Sequence, residues 1–178
     1  MHGALRDYKR GPLVVARRLR VALSALLWRF LHRHERCLAV TAGTGCFDRV
    51  CVVPSGRQLS CSRHPLGRVV GAIDALAGRF DPTLLQPAGD AGARRRFDPQ
   101  RFRCPHRLDG QSVLLVDDTW TTGASAQSAA AALKLAGSGA VGVLVIGRHI
   151  HAEYASNQRW LARLSPHFDW ERCGRCSR

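Results

Sequence analysis

The alternation of apolar and polar residues divides the chain into a helical front, a strand-and-helix middle and a short tail. Pro12 opens a helical pattern that runs to about His34, since proline suits a first turn whose N–H groups are unpaired anyway. Val15, Leu19, Ala22, Leu26, Leu27, Phe30 and Leu31 recur at helical spacing on one broad face, and Arg17, Arg18 and Arg29 lie mostly off it. Arg49–Val53 is a short apolar run closed by Pro54, Ser55 and Gly56, which predicts a buried strand feeding a loop. Pro65–Ala77 again has helical spacing. From Phe80 to Gly110 the pattern dissolves into a polar stretch punctuated by glycine and proline, with an arginine triplet at 94–96. Order returns with a strand at Val113–Val116, a helix over Gly123–Ala136 stopped by Gly137, a strand at Val141–Ile146 and a helix over Glu153–Leu164.

The strands are continuously apolar rather than alternating. Strands of that kind, separated by a helix, predict an α/β fold whose parallel sheet is covered by helices on both faces. The expected organisation is one domain: a helical segment over 1–36, an α/β core over 37–164, and a loosely held tail over 165–178. There are no internal repeats.

Composition adjusts this picture in three places. With 178 residues, 46% of them hydrophobic, the chain can bury one respectable core. Its longest apolar candidate, Val21–Trp28, is too short to span a bilayer and is flanked by Arg20 and Arg29, so no membrane partner is expected. The arginine-rich front lacks a small-residue cleavage site after its apolar run and reads as an amphipathic domain helix rather than a leader. The formal charge of +14 favours polyanionic ligands. Lysine occurs only at Lys9 and Lys134, however, and alanine and glycine are abundant, a pattern of GC-rich coding that halves the weight of the charge as a nucleic-acid signal. Seven scattered cysteines read as mostly reduced thiols of a cytoplasmic protein.

The densest chemistry lies in Val113–Ser125, "VLLVDDTWTTGAS". Ligands of an open parallel sheet sit beyond the carboxyl ends of its strands, where Asp117 and Asp118 are expected to emerge. Adjacent carboxylates repel each other unless something compensates, and sugar hydroxyls or a divalent ion would do so. Thr121, Thr122, Gly123, Ala124 and Ser125 then supply hydroxyls, a flexible backbone and the positive end of a new helix, a combination suited to phosphate. A phosphorylated ribose satisfies both halves; a threonine-capped acidic turn is the plain structural alternative.

This stretch resembles the loop that binds phosphoribosyl diphosphate (PRPP) in the type I phosphoribosyltransferases: an apolar strand, two acids, two mostly aliphatic residues, and a Thr/Ser–Thr–Gly–x–Thr/Ser run. "DYKR" at Asp7–Arg10, "VVPS" at Val52–Ser55, Gln86, Arg94–Arg96 and the "GR" at Gly147–Arg148 resemble the ComF-like branch of that family. The resemblance implies a parallel sheet flanked by helices with a small variable hood. It implies an enzyme that binds PRPP with Mg²⁺ and displaces pyrophosphate with a base or amine. On that resemblance, Asp117 and Asp118 act at the ribose hydroxyls and near Mg²⁺, and Thr121–Ser125 hold the 5′-phosphate. Pro54, Ser55, Gly56 and Arg57 form the pyrophosphate loop, and Arg94, Arg95 and Arg96, within a loop that closes over the substrate, meet the diphosphate. The alternative is a non-catalytic PRPP sensor or a DNA-uptake factor that keeps the fold; nucleic acid is admitted as a partner but not favoured, and a homo-oligomer is allowed.

Three departures from the family pattern matter. Thr121 stands where 6-oxopurine salvage enzymes carry an acid, which argues against hypoxanthine or guanine as acceptor. Trp120 stands where an aliphatic residue is usual, and packing is the simpler role for its ring. The four-cysteine zinc ribbon that often opens ComF-like proteins has no counterpart here. Cys173-Gly-Arg-Cys176 does have metal-ligand spacing, but it is one half-site. His32, His34 and Cys37, or Cys104 and His106, are candidates for the other half; free thiols on the tail are the simpler expectation. His149 and His151 follow the last strand and read as surface histidines.

Overall fold

The computed structural model describes residues 2–55, 64–88, 96–153, 155–163 and 168–176. Two helices lead: α1 at His2–Arg10 and α2 at Leu13–Thr41, broken at Gly11-Pro12. α1 was not foreseen from the sequence, being short and highly charged. α2 continues seven residues past His34 because Glu35–Ala39 are compatible with helix and nothing breaks it before Gly43, whose φ of 81° ends it in the left-handed region. Its buried face also differs from the expected stripe. Ala16, Leu23, Leu27, Leu31, His34 and Ala39 face the core, whereas Val15, Val21 and Trp28 are exposed. The helix is apolar over much of its circumference, so periodicity alone leaves its rotation underdetermined.

The main sheet has three parallel strands in the order β1 (Arg49–Val52), β4 (Val113–Trp120), β5 (Val141–Arg148). Val50 pairs with Leu114 and Val52 with Val116, while β4 and β5 pair from Val113–Val141 to Trp120–Arg148. Neighbouring residues point to opposite faces. Val50, Val52, Leu114 and Val116 pack with Leu5, Tyr8, Leu23, Leu27 and Leu31 of α1 and α2 and with Leu66 and Val69 of α3 (Pro65–Val70). Cys51, Val53, Val113 and Leu115 face Ala126, Ala129, Ala132 and Leu133 of α4 (Ala124–Leu135). Both faces are buried, which is why these strands read as unbroken apolar runs.

The expected helix over Pro65–Ala77 is shorter than its pattern. α3 stops at Val70, capped by the Gly71 N–H on the Gly67 carbonyl, and a single 3-10 turn follows at Asp74–Leu76. Phe80 then bridges Val50 in parallel on the free side of β1. Within the stretch expected to be irregular, β2 (Gln86–Pro87) and β3 (Phe102–Arg103) form a small antiparallel pair, extended by the Ala88 N–H on the Arg101 carbonyl. Asp98 ties the approach to β3 onto α4 by donating its backbone N–H to Ser128 Oγ at 3.0 Å. Sequence periodicity is blind to such two-residue strands. α5 spans Ala155–Leu161, shorter at both ends than expected.

Among the described residues no helix is long and apolar enough to cross a membrane. The tail, expected to hang loosely, instead lies on α2: the Trp170 carbonyl meets His34 Nε2 at 3.0 Å, Arg29 stacks over the Trp170 ring at 4.5 Å, and Arg33 pairs with Glu171 at 2.6 Å.

A second lock joins α2 to the sheet edge. Arg79 Nη1 and Nη2 donate to the two Glu35 carboxylate oxygens at 2.5 and 3.1 Å, and Nη1 also reaches the Phe47 carbonyl at 2.9 Å. The pair is partly buried and bidentate, a geometry worth more than a surface ion pair. Arg79→Met is expected to cost about 1.5–3 kcal/mol, the range for hydrogen bonds to charged groups, read as a lower urea midpoint at unchanged slope.

Candidate functional site

β1 ends while β4 and β5 run on together, leaving a notch beside the later residues of β4. The last tie between β1 and β4 is the Val53 N–H on the Val116 carbonyl, at 3.0 Å. Asp117 and Asp118 are the next residues of β4. They therefore lie inside the strand, Asp117 paired with Val145 of β5, rather than beyond its end as the sequence suggested; Thr119 and Trp120 are compatible with strand and extend the ladder.

Strand geometry sends the two carboxylates to opposite faces. Asp118 is buried and accepts from the Tyr8 hydroxyl and the Lys9 ammonium of α1. Asp117 is half-buried and accepts from the Asp118 N–H at 2.9 Å. Burial, and then the Asp118 charge, push the Asp117 carboxyl up to about 6, with Lys9 and the Asp118 N–H opposing. Burial foremost, reinforced by Asp118, raises the Tyr8 hydroxyl far above its ordinary range, so it stays a donor.

A cleft of about 420 Å³ opens here, within the usual range for small-molecule sites. Asp117, Asp118, Thr121 and Ser125 line it together with Pro54 and Ser55, so segments separated by some sixty residues meet around one space. The hydroxyl loop is shaped by Gly123, at φ 78°, and by the Thr122 Oγ1 that accepts from the Ala124 N–H at 3.3 Å. Thr121 and Thr122 are exposed at its rim, while Gly123 and Ala124 are buried. Trp120 packs beneath the loop: its Cζ2 lies 2.2 Å from where a Gly123 Cβ would stand, so the ring fills the space that the missing side chain leaves.

Other expected residues fare differently. Gly56, Arg57, Arg94 and Arg95 lie outside the described residues. Arg96 is exposed and contributes its carbonyl, which accepts from Arg101 Nη2 at 2.6 Å. Arg101, which the sequence did not single out, lines the cleft; it is buried, and its Nη1 donates to Ser125 Oγ at 3.3 Å. Lys9 and His64 were also missed as lining residues. His64 caps α3, its Nδ1 accepting from the Gly67 N–H at 3.4 Å, and burial lowers its pKa. Periodicity had no signal for any of these, because each reaches the cleft from a separate segment. The resemblance of "DYKR" was the one pointer to Lys9. His149 and His151 stack edge-on at 4.8 Å, and His149 donates its N–H to the Trp120 carbonyl at 2.8 Å, just past the end of the ladder.

Compared with protein-family models, curated proteins and solved structures, the chain matches none of them. The class defined by fold and site is a small mixed α/β domain with a parallel three-stranded sheet between helices and a polar cleft beside its central strand.

Proposed function

We propose that the chain is a phosphoribosyltransferase that binds PRPP with Mg²⁺ in this cleft and transfers the phosphoribosyl group to a base or amine. In this reading the sheet and its helices are the type I phosphoribosyltransferase fold, and residues 1–36, α1 with most of α2, belong to its small hood. One observation supports the reading above the rest: the acid pair, the hydroxyl loop at the start of α4, the Pro54-Ser55 turn and a buried arginine share one cleft.

The chemistry asked of these residues is positioning and charge compensation. The bond from the sugar's anomeric carbon to pyrophosphate breaks, pyrophosphate leaves with the electron pair, and the acceptor nitrogen supplies a pair to the same carbon and loses its proton. Asp117 and the free oxygen of Asp118 accept from the ribose hydroxyls, fixing the sugar. The amides and hydroxyls of Thr121–Ser125 take the 5′-phosphate at the positive end of α4. Arg101 and Lys9 bring positive charge to a cleft that must accept a polyanion. The oxygen donors of the acid pair suit Mg²⁺, which binds through one or two carboxylates plus substrate phosphates and would neutralise charge on the leaving diphosphate.

Titration calorimetry of PRPP with and without Mg²⁺, followed by a screen of nucleobases and amines for pyrophosphate release, tests the proposal. Micromolar or tighter Mg-dependent binding with acceptor-dependent release is the expected result. Binding without release for any acceptor leaves a sensor, and no binding removes the site. Arg101→Met is expected to weaken PRPP binding by about tenfold or more, since one charge-assisted contact is worth about 1.5–3 kcal/mol. An unchanged affinity would take Arg101 out of the site.

A further inference from the structure

Towards the C-terminal end of α2, four metal-ligating side chains converge. His34 and Cys37 are three residues apart and so share one face of the helix. Cys173 and Cys176 come from the tail. One ligand atom from each of the four lies within 4.8 Å of all the others. Cys176 Sγ is 3.3 Å from Cys37 Sγ, 3.2 Å from Cys173 Sγ and 3.5 Å from His34 Nδ1. His32, two residues from His34, is turned outward and stacks on Trp28, and Cys104 donates to the His106 carbonyl elsewhere. The structure thus chooses between the half-sites that the sequence left open.

We propose that His34, Cys37, Cys173 and Cys176 form a structural zinc site that fastens the C-terminal tail to α2. Three independent features point to a metal rather than to thiols packed by chance. The first is the histidine tautomer. His34 Nε2 faces the Trp170 carbonyl at 3.0 Å, and a carbonyl can only accept, so Nε2 carries the proton and Nδ1 turns its lone pair to the sulfurs. A ligating histidine held by a carbonyl through its other nitrogen is the usual outer support of a zinc ligand. The second is the tail turn, in which the Cys176 N–H points at Cys173 Sγ at 3.5 Å, an amide donor suited to a thiolate. The third is fit. Zinc–sulfur bonds of about 2.3 Å in a tetrahedron separate sulfurs by about 3.8 Å, so an outward shift of about half an ångström accommodates the ion. Three thiolates around Zn²⁺ leave one net negative charge, and Arg172 and Arg175, flanking and interrupting the Cys-x-x-Cys, are there to offset it. On this proposal the three cysteines are zinc thiolates, where the sequence alone favoured free thiols. Zinc binding releases the three thiol protons and involves no oxidant.

The proposal stands independently of the function assigned to the cleft. Full-length chain purified under a thiol reductant and without chelator should carry about one zinc per chain by plasma mass spectrometry. Cys173→Ser and Cys176→Ser should each reduce this to about a tenth or less, and Cys104→Ser, outside the cluster, should keep it. Because a cysteine variant can fail by misfolding, the wild-type chain provides a second readout. After metal is stripped and replaced by Co²⁺, it should show the intense visible absorption of a tetrahedral cobalt thiolate, and Zn²⁺ should displace it stoichiometrically. Chain free of metal that gains neither zinc nor the cobalt spectrum would overturn the assignment. So would a Cys173–Cys176 or Cys37–Cys176 disulfide found in the reduced preparation.

Discussion

Asn at both 117 and 118 is expected to abolish Mg-dependent PRPP binding, lowering affinity by more than about 100-fold. Asn nearly preserves shape, so the loss reports charge. Two charge-assisted hydrogen bonds at about 1.5–3 kcal/mol each amount to about 3–6 kcal/mol, and 1.4 kcal/mol is tenfold. Calorimetry at fixed Mg²⁺ reads the effect, and an unchanged dissociation constant would remove the acid pair from the site. The single variant Asp117→Asn carries an opposite signature in the ligand-free, metal-free protein. The folded-state pKa of Asp117, about 6, lies above its ordinary 3.8, so the folded chain holds a proton that the unfolded chain gives up. Stability from this group is present below about pH 4 and is lost as pH rises through about 6. The shift sets a ceiling of about 3 kcal/mol. Because the carboxylate lines an open cleft, about 1–2 kcal/mol is the expected gain for the variant at pH 7, shrinking to nothing by about pH 4. Urea melts of both chains across that window measure it. A site that costs the empty fold stability and returns it as ligand affinity is the pattern of a binding site rather than of a structural turn.

Gly123→Ala is the second large expected effect, and it separates two physical causes. At φ 78° an alanine pays about 1–2 kcal/mol for the left-handed conformation. Its Cβ would also stand 2.2 Å from Trp120 Cζ2, so the indole must move. A total of at least about 2 kcal/mol of stability should be lost, together with PRPP affinity, because the loop amides are set by this residue. Trp120→Leu in the same chain removes the collision and leaves the backbone strain. The double variant should therefore recover part of the loss, with a coupling of about 1 kcal/mol or more. Strict additivity would show that the ring does not support the loop.

The legible parts of the fold were those governed by local pattern. β1, the start of β4, α4 and β5 lie where continuous apolar runs and a stopping glycine put them, because a strand covered on both faces has no freedom to place polar residues. The two-residue strands at Gln86–Pro87 and Phe102–Arg103 were hidden, since two residues carry no period. The buried face of α2 was misjudged because its apolar residues surround the helix and only neighbours select a side.

The site divides in the same way. Asp117, Asp118 and Thr121–Ser125 are contiguous, so their chemistry was readable as one stretch, and the juxtaposition of hydroxyl loop and acid pair is built into its thirteen residues. Arg101, Lys9 and His64 arrive from three other segments, and the four ligands of the tail site are brought together across more than 130 residues of chain. What the sequence by itself determined was the set of local elements and the chemical groups each one carries, because backbone preference and burial period act over a few neighbours. Only the tertiary structure decided which groups meet, because packing two elements face to face is settled by shape and burial over the whole core, and no local period encodes it.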